Sequence, residues 1–390
     1  VTTWGRVPIM LKEEIDYNAP LKTEEEVYEL ILSDLKIAET DCPALYTKEP
    51  YGRNGMNIAV SEGAVKATMA YVYMCMAGWP LNKGVEYYKL AAAKAKEVID
   101  GADGGSYYYK LLPEYSQVYS WEYNNKNTEL LLGIYYNRDA TGQSAPLTDF
   151  LQDMKQAGWG DTNGEINFWM NFPEGPRKDA TYFPKIMLSD GKLYDWWYDT
   201  DPASREVVAP VFMKTVEGAV RGTEFDYTNP AVVNASGEKT FQLLRLSQVY
   251  CWYAEAVGRS KTGSITEAVN LLNEVRNRAN GSVVADRDIY KTTMSYDDLA
   301  EAAYNEHGWE IAGYYWGNIA TRARDMFRMN RIKDHFEFRK KNEPIEVVSG
   351  VFRKEAVTVT GTWDDSKMYV PYPYEDVILN PNLDNSWKNR

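Results

Sequence analysis

Histidine is almost missing from this chain, which carries only His307 and His335. A metal cluster built on imidazole or a Ser-His-Asp relay therefore has little to build on. Cysteine is scarce and odd in number: Cys42, Cys75 and Cys251. Cys75 and Cys251 fall on stretches that read as core-facing helix, so both are expected as buried thiols and not as a bridge. No apolar run approaches the ~18–20 residues of a membrane span. Positive charge is outnumbered, 43 Lys and Arg against 56 Asp and Glu for a formal charge of −13. That balance argues against nucleic acid, whose affinity comes mostly from cations neutralising phosphate. The opening VTTWGRVPIM has neither an initiator Met nor a signal peptide, so the expectation is a mature chain cut here or a preceding segment missing.

What the chain does have is aromatic residues, 14% of 390, within a hydrophobic content of 44% that suffices for a substantial core. The stretch Phe241–Ala279 organises the reading. Leu243, Leu246, Tyr250, Ala254 and Val257 recur at steps of three or four, which predicts a helix with one apolar face. After a KTGS break, Ile265, Ala268, Leu272, Val275 and Ala279 repeat the spacing, and Ser264 with Glu267 forms a capping box. The two stripes predict a helical hairpin. The same design occurs at 61–99: Ala64, Ala67, Tyr71 and Cys75 line one helix, GWPLNKG breaks it, and Tyr87, Ala91, Ala95 and Val98 line the next. Units of about forty residues that cannot bury their stripes alone are the mark of tetratricopeptide-like stacking.

Elsewhere, residues 1–22 read as extended around Pro8 and Pro20. Thr23 and Glu26 cap a helix through about Thr40. The apolar run Leu130–Tyr136 is short enough for a buried strand. From Asn137 to Lys239 the helical period fades into turn residues, which predicts short strands and loops. Ser295 and Asp298 cap a further helix, and the basic segment ATRARDMFRMNRIKDHFEFRKK reads as one amphipathic surface helix with solvated or paired charges. The tail, with Tyr369-Val-Pro-Tyr-Pro-Tyr374, reads as a proline-stiffened strap. Arg245, Glu255, Arg276 and Arg278, set in apolar helices, are expected in structural ion pairs.

Several motifs together resemble the SusD/RagB family, surface lipoproteins that partner TonB-dependent transporters in outer-membrane nutrient uptake. WGRVPI resembles the family's W-G-x-V-P segment and VYELILSDLKIAE (27–39) its early helix. AVKATMAYVYM and YYKLAAAKAKEVID resemble a helix pair. LLRLSQVYCWYAEA, NEVRNRAN and YVPYPYEDVILNPNL follow in the family's order. Two departures stand out: Glu306-His307-Gly308-Trp309-Glu310 replaces E-R-x-x-E, and YYWGNIAT precedes Arg324 and Asp325. The resemblance implies a mostly α fold, with tetratricopeptide-like hairpins as scaffold and a long loop-rich insert containing short β-strands. It implies a single SusD-like domain over 1–390, with 100–240 as the ligand-binding region. The further N-terminal portion of family members, with signal peptide, lipidated cysteine and first helices, is not in this sequence.

The function implied is non-catalytic capture of nutrient oligosaccharides at the cell surface, anchored to the outer membrane by an inferred N-terminal lipid. Delivery is to a SusC-like TonB-dependent outer-membrane transporter. No cofactor, metal or nucleic acid is called for. A sugar site wants flat ring faces bordered by amides and carboxylates. The segments 158–175 and 192–201 offer Trp159, Asn163, Trp169, Phe172, Tyr194, Trp196 and Trp197 as ligand-binding residues, with Asn167 and the acceptors Asp195 and Asp199 beside them. A peptide ligand remains an alternative. A glycoside hydrolase using two of Asp195, Asp199 and Asp201 is the enzymatic one. The same acidic triplet lacks the Gly and distal Glu of an EF-hand calcium loop.

Overall fold

The computed structural model describes residues 1–136, 163–187, 191–198, 209–214, 239–282, 285–313 and 319–389. The chain enters α1 (Glu24–Asp41) through a complete capping box in which Thr23 accepts from Glu26 N and Glu26 accepts from Thr23 N. A two-residue ladder, β1 (Gly52–Arg53) with β2 (Met56–Asn57), leads to α2 (Glu62–Ala77) and α3 (Val85–Asp103). The predicted break at 78–84 is the turn between them. α4 (Tyr115–Val118) and β3 (Leu130–Ile134) follow. In the described parts of the insert lie α5 (Ile166–Met170), α6 (Pro176–Thr181), β4 (Ile186–Met187) and β5 (Leu193–Tyr194).

The second hairpin begins differently from the sequence expectation. Phe241–Arg245 is not the first turn of a helix but a strand, β6, antiparallel to β3 with Ile134 opposite Phe241 and Leu130 opposite Arg245. The helical stripe runs on into this strand in the sequence alone. The strand state wins because β3 presents backbone donors and acceptors that must be paired. α7 (Leu246–Ser260) and α8 (Ile265–Asn280) then form the hairpin, with Ser264 accepting from Glu267 N as the spacing predicts. α9 (Tyr296–Ile311) is capped by Ser295.

α7 is the hub. It packs against α3 on one side and against α8 and α9 on the other, so the two hairpins share one core through the α3–α7 contact. Nearly every residue of α7 is buried, including Gln248 and Glu255, as expected of a helix enclosed by neighbours on all sides. Gly258 permits the closest approach: a Cβ there would lie 2.6 Å from Tyr296 O and 2.8 Å from Ala300 Cβ. Cys75 and Cys251 are free and buried, and burial pushes the Cys75 thiol up to about 11.

The basic segment after 320 is two helices, α10 (Arg322–Arg328) and α11 (Ile332–Lys341), because the intervening Asn330 takes a left-handed conformation (φ 55°) that ends the first. A hairpin, β7 (Ile345–Val348) and β8 (Val351–Arg353), comes next. The tail includes a short α12 (Tyr374–Leu379) and acts as the expected strap. Val370 N donates to Thr3 O at 2.8 Å, Tyr372 Oη to Arg6 O at 2.6 Å, and Asn380 Nδ2 to Ala19 O at 3.0 Å. Among the described residues no helix is long and apolar enough to cross a membrane.

Candidate functional site

The insert is fastened to the helices by a buried ionic network. Arg245, at the end of β6, donates through Nη1 to Glu129 (2.7 Å) and Glu310 (2.9 Å). Arg278 on α8 reaches the same two carboxylates at 2.6 and 2.5 Å. Arg177, the second residue of α6, lies 2.6 Å from Glu306 and 3.0 Å from Glu310, and Arg276 donates to Glu306 at 2.8 Å. Burial alone would raise the Glu310 carboxyl, but Arg278, Arg245 and Arg177 together hold it well below the usual range. These are the structural pairs expected of Arg245, Arg276 and Arg278. A neighbouring set, Arg328 with Glu255 and Asp325 and Asp325 with His307, absorbs one of the two histidines and Glu255.

This fixing of α6 has a consequence one residue later. With Arg177 pinned inward, Lys178 is placed so that its Nζ stands 3.9 Å above the Trp169 ring. Trp169, on α5, also meets Trp196 edge-on (centroids 5.4 Å, 83°) and Trp197 (5.5 Å, 51°). Behind these rings is a second, smaller core of Ile166, Phe183, Ile186, Trp196, Val211, Met213 and Val347. The C-terminal hairpin props it from below: Val347 is part of the core, Arg353 Nε donates to Trp197 O at 3.0 Å, and Glu355 accepts from Ile166 N at 2.7 Å. α5 has too few residues to hold itself, so Glu355 supplies a partner for an otherwise orphaned helix-start donor.

The seven expected residues therefore separate. Trp169 and Trp197 are half-buried at the edge of the small core and touch each other. Tyr194, half-buried on β5, stacks on Tyr198 with centroids 4.6 Å apart and planes at 25°, and Tyr198 is 48% exposed. Trp196 (4% exposed) and Phe172 (2%) are core residues: the first seals the small core, and the second packs on Phe168 and Tyr182. Neither offers a ring face to solvent: Trp196 fills the space behind Trp169 and Trp197, and Phe172 is enclosed by Phe168, Tyr182 and Arg177. Asn163 sits apart, in a hollow of about 430 Å³ with Phe168, Phe212 and Arg322. Trp159, Asp199 and Asp201 lie outside the described residues. Asp195 is 2.6 Å from Lys185. Beside the hollow, His335 Nε2 is 3.3 Å from Glu165; burial lowers the imidazole and raises the carboxyl, so both lean to the neutral form.

Sequence reasoning named neither Lys178 nor Arg353, whose roles arise from contacts 9 and 156 residues away. Tyr198 carried a signal, standing in the same KLYDWWYDTD run as the rings it joins. Among the described residues no group of three or more His, Cys, Asp or Glu side chains is placed to hold a metal ion.

The SusD family model matches residues 100–388, well over half of the chain. The chain belongs to the SusD family. Its fold is also that of solved family structures. A SusD homologue from Bacteroides thetaiotaomicron aligns with TM-score 0.70 at 18% identity, covering 98% of this chain and 74% of that one. A structure solved with xylogluco-oligosaccharide aligns with TM-score 0.70 at 23% identity, covering 98% and 77%. Surface glycan-binding protein A from Bacteroides uniformis aligns with TM-score 0.64 at 20% identity, covering 98% and 73%. No curated protein matches the sequence. The predominantly helical architecture with few short strands is thus the SusD fold, and the ring cluster lies within the region matched by the family model.

Proposed function

We propose that this SusD-family chain binds neutral oligosaccharides at the cell surface without altering them, and that the insert's ring cluster is where they rest. The observation that carries this is two pairs of part-exposed rings in the insert, Trp169 with Trp197 against the small core and Tyr194 with Tyr198 beside β5. Sugars present C–H patches and a rim of hydroxyls, so flat rings bordered by Asp195 and Lys185 suit them. Two relatives of the same fold are a complex with xylogluco-oligosaccharide and a surface glycan-binding protein, which supports the same ligand class. Non-catalytic capture fits the Asp195 carboxylate, which is engaged with Lys185 at 2.6 Å. In this reading the chain is tethered to the outer membrane through an N-terminal lipid and delivers its ligand to a SusC-like TonB-dependent transporter.

Calorimetric titration with a panel of neutral oligosaccharides and a peptide mixture tests the ligand class. Saturable binding of at least one glycan is expected; binding of peptides with no glycan binding would replace this reading with peptide capture. Delivery is tested by affinity capture from the outer membrane, where a large barrel protein should travel with the chain.

A further inference from the structure

A second aromatic cleft stands on the other side of α11 from the Glu165 hollow, and none of its residues comes from the insert. It has a volume of about 630 Å³. Four separate parts of the chain build it: the α2–α3 turn gives Trp79, the α10–α11 junction gives Asn330, Lys333 and Asp334, and the tail gives Trp363 and Trp387, with Arg6 at the rim. One wall is a run of rings. Trp79 meets Phe327 edge-on at 4.7 Å and Tyr369 at 5.5 Å, and Tyr369 meets Trp387 at 5.0 Å. The Arg6 guanidinium caps the end of this run, 5.0 Å from the Trp387 ring centre. Trp363 forms the facing side, its edge against Phe336 at 5.3 Å and its Nε1 donating to Asp365 at 3.1 Å.

Part of the polar rim is unspent, while Asp365 accepts from Trp363, Arg6 is paired with Glu24 at 3.4 Å and Lys388 donates to Val370 O at 2.7 Å. Asn330, Lys333 and Asp334 are exposed, and among the described residues their side chains make no hydrogen bond or ion pair. An apolar guest would leave these groups facing it unpaired, at a cost for each donor or acceptor so enclosed. A polyanion would meet the Asp334 and Asp365 carboxylates, and a polycation would meet Lys333 and Arg6. A neutral molecule with flat C–H faces and many hydroxyls satisfies both walls, because hydroxyls donate to the carboxylates and accept from the ammonium and the amide. The indoles Trp79, Trp363 and Trp387 are all half-buried, so each is held by packing while part of its surface lines the space.

We infer that the cleft between Trp79, Trp363 and Trp387 is a second binding site for a neutral oligosaccharide, separate from the insert's ring cluster. It rests on the proposed function for its ligand class and on none of that site's residues. α11 lies between the Glu165 hollow and this cleft: His335 faces Glu165 and Phe336 faces Trp363. A long glycan, or two chains of one polymer, can then be held by one copy of the protein.

The test is two-dimensional NMR of the full chain with ¹⁵N-indole-labelled tryptophan, each signal assigned by single substitution. The probes are maltoheptaose, cellohexaose, mannohexaose and a xylogluco-oligosaccharide. At least one probe is expected to shift the Trp363 and Trp387 indole signals saturably. Lys333→Ala with Asp334→Ala, both at exposed positions, should weaken that response at least tenfold and leave the Trp169 and Trp197 responses unchanged. Trp363→Ala should abolish it. Silence of Trp79, Trp363 and Trp387 with every probe overturns the inference, as does a response that the Lys333/Asp334 variant leaves intact. Movement confined to Trp169 and Trp197 would remove the cleft and keep the insert site; movement confined to the cleft would do the reverse.

Discussion

Arg245 Nη1 lies 2.9 Å from Glu310 Oε1, both side chains fully enclosed, although 65 residues separate them in sequence. Around this contact Glu129 and Arg177 from the insert meet Arg278 and Glu306 from the helices. The network around the contact therefore joins the part that carries the rings to the part that carries the core.

Breaking it should be costly. Glu310→Gln leaves three buried guanidinium groups facing a neutral amide, and removing one partner of such a set costs about 3–5 kcal/mol. Lys261→Ala, which removes a pair with Asp297 in which both side chains are more than half exposed, should cost under ~1 kcal/mol. Urea unfolding of both variants checks the contrast; comparable losses would deny the network its central place.

The same carboxylates set the response to acid. Burial raises Glu129, Glu255, Glu306, Glu310 and Asp325, but their arginine partners, with His307 beside Asp325, override it and hold all five below the ordinary value. A depressed folded pKa means the unfolded chain binds protons first, so the stability they contribute is present above the ordinary carboxylate value of ~4–4.5 and is lost progressively as pH falls below it toward the lower folded values. His335, lowered by burial, has the same sign, with loss beginning below its ordinary value near ~6.5. Glu165 and Glu355, raised by burial, have the opposite sign and soften the upper part of the profile. The melting temperature should fall most steeply below about pH 4.5; a level profile from pH 7 to 3 would contradict the network's role.

The hairpins were legible in the sequence because Ala268, Leu272 and Val275, or Ala91, Ala95 and Val98, repeat at a helical period that needs no distant partner to be read. The β6 strand was not, because Phe241–Arg245 is extended only by virtue of β3, more than 100 residues earlier. The break at Asn330 within the basic segment was hidden in a run of good helix formers. At the proposed site, composition named the rings as a group but could not order them by depth. Trp196 and Trp197 are neighbours in sequence, yet one seals the small core and the other lies at its edge, because they are the two central residues of a turn closed by Tyr198 N donating to Asp195 O at 2.9 Å.

Gly258→Ala tests the hub. The added methyl would meet the backbone of Tyr296 and Ala300 on α9 at under 3 Å, where no flexible side-chain end can yield. Overpacking of this kind costs about 1–3 kcal/mol. Thermal unfolding should show the loss; an unchanged melting temperature would mean that α7 and α9 are not in such close contact.

The central claim is that Trp169 and Trp197 face a bound glycan from a rigid back. Titration calorimetry of the wild type and the Trp169→Ala, Trp197→Ala double variant with the oligosaccharide that binds best tests it most directly, with circular dichroism to confirm that the variant is folded. The account predicts affinity at least tenfold weaker, about 1.4 kcal/mol, in a folded variant. Unchanged affinity in that folded variant would contradict it.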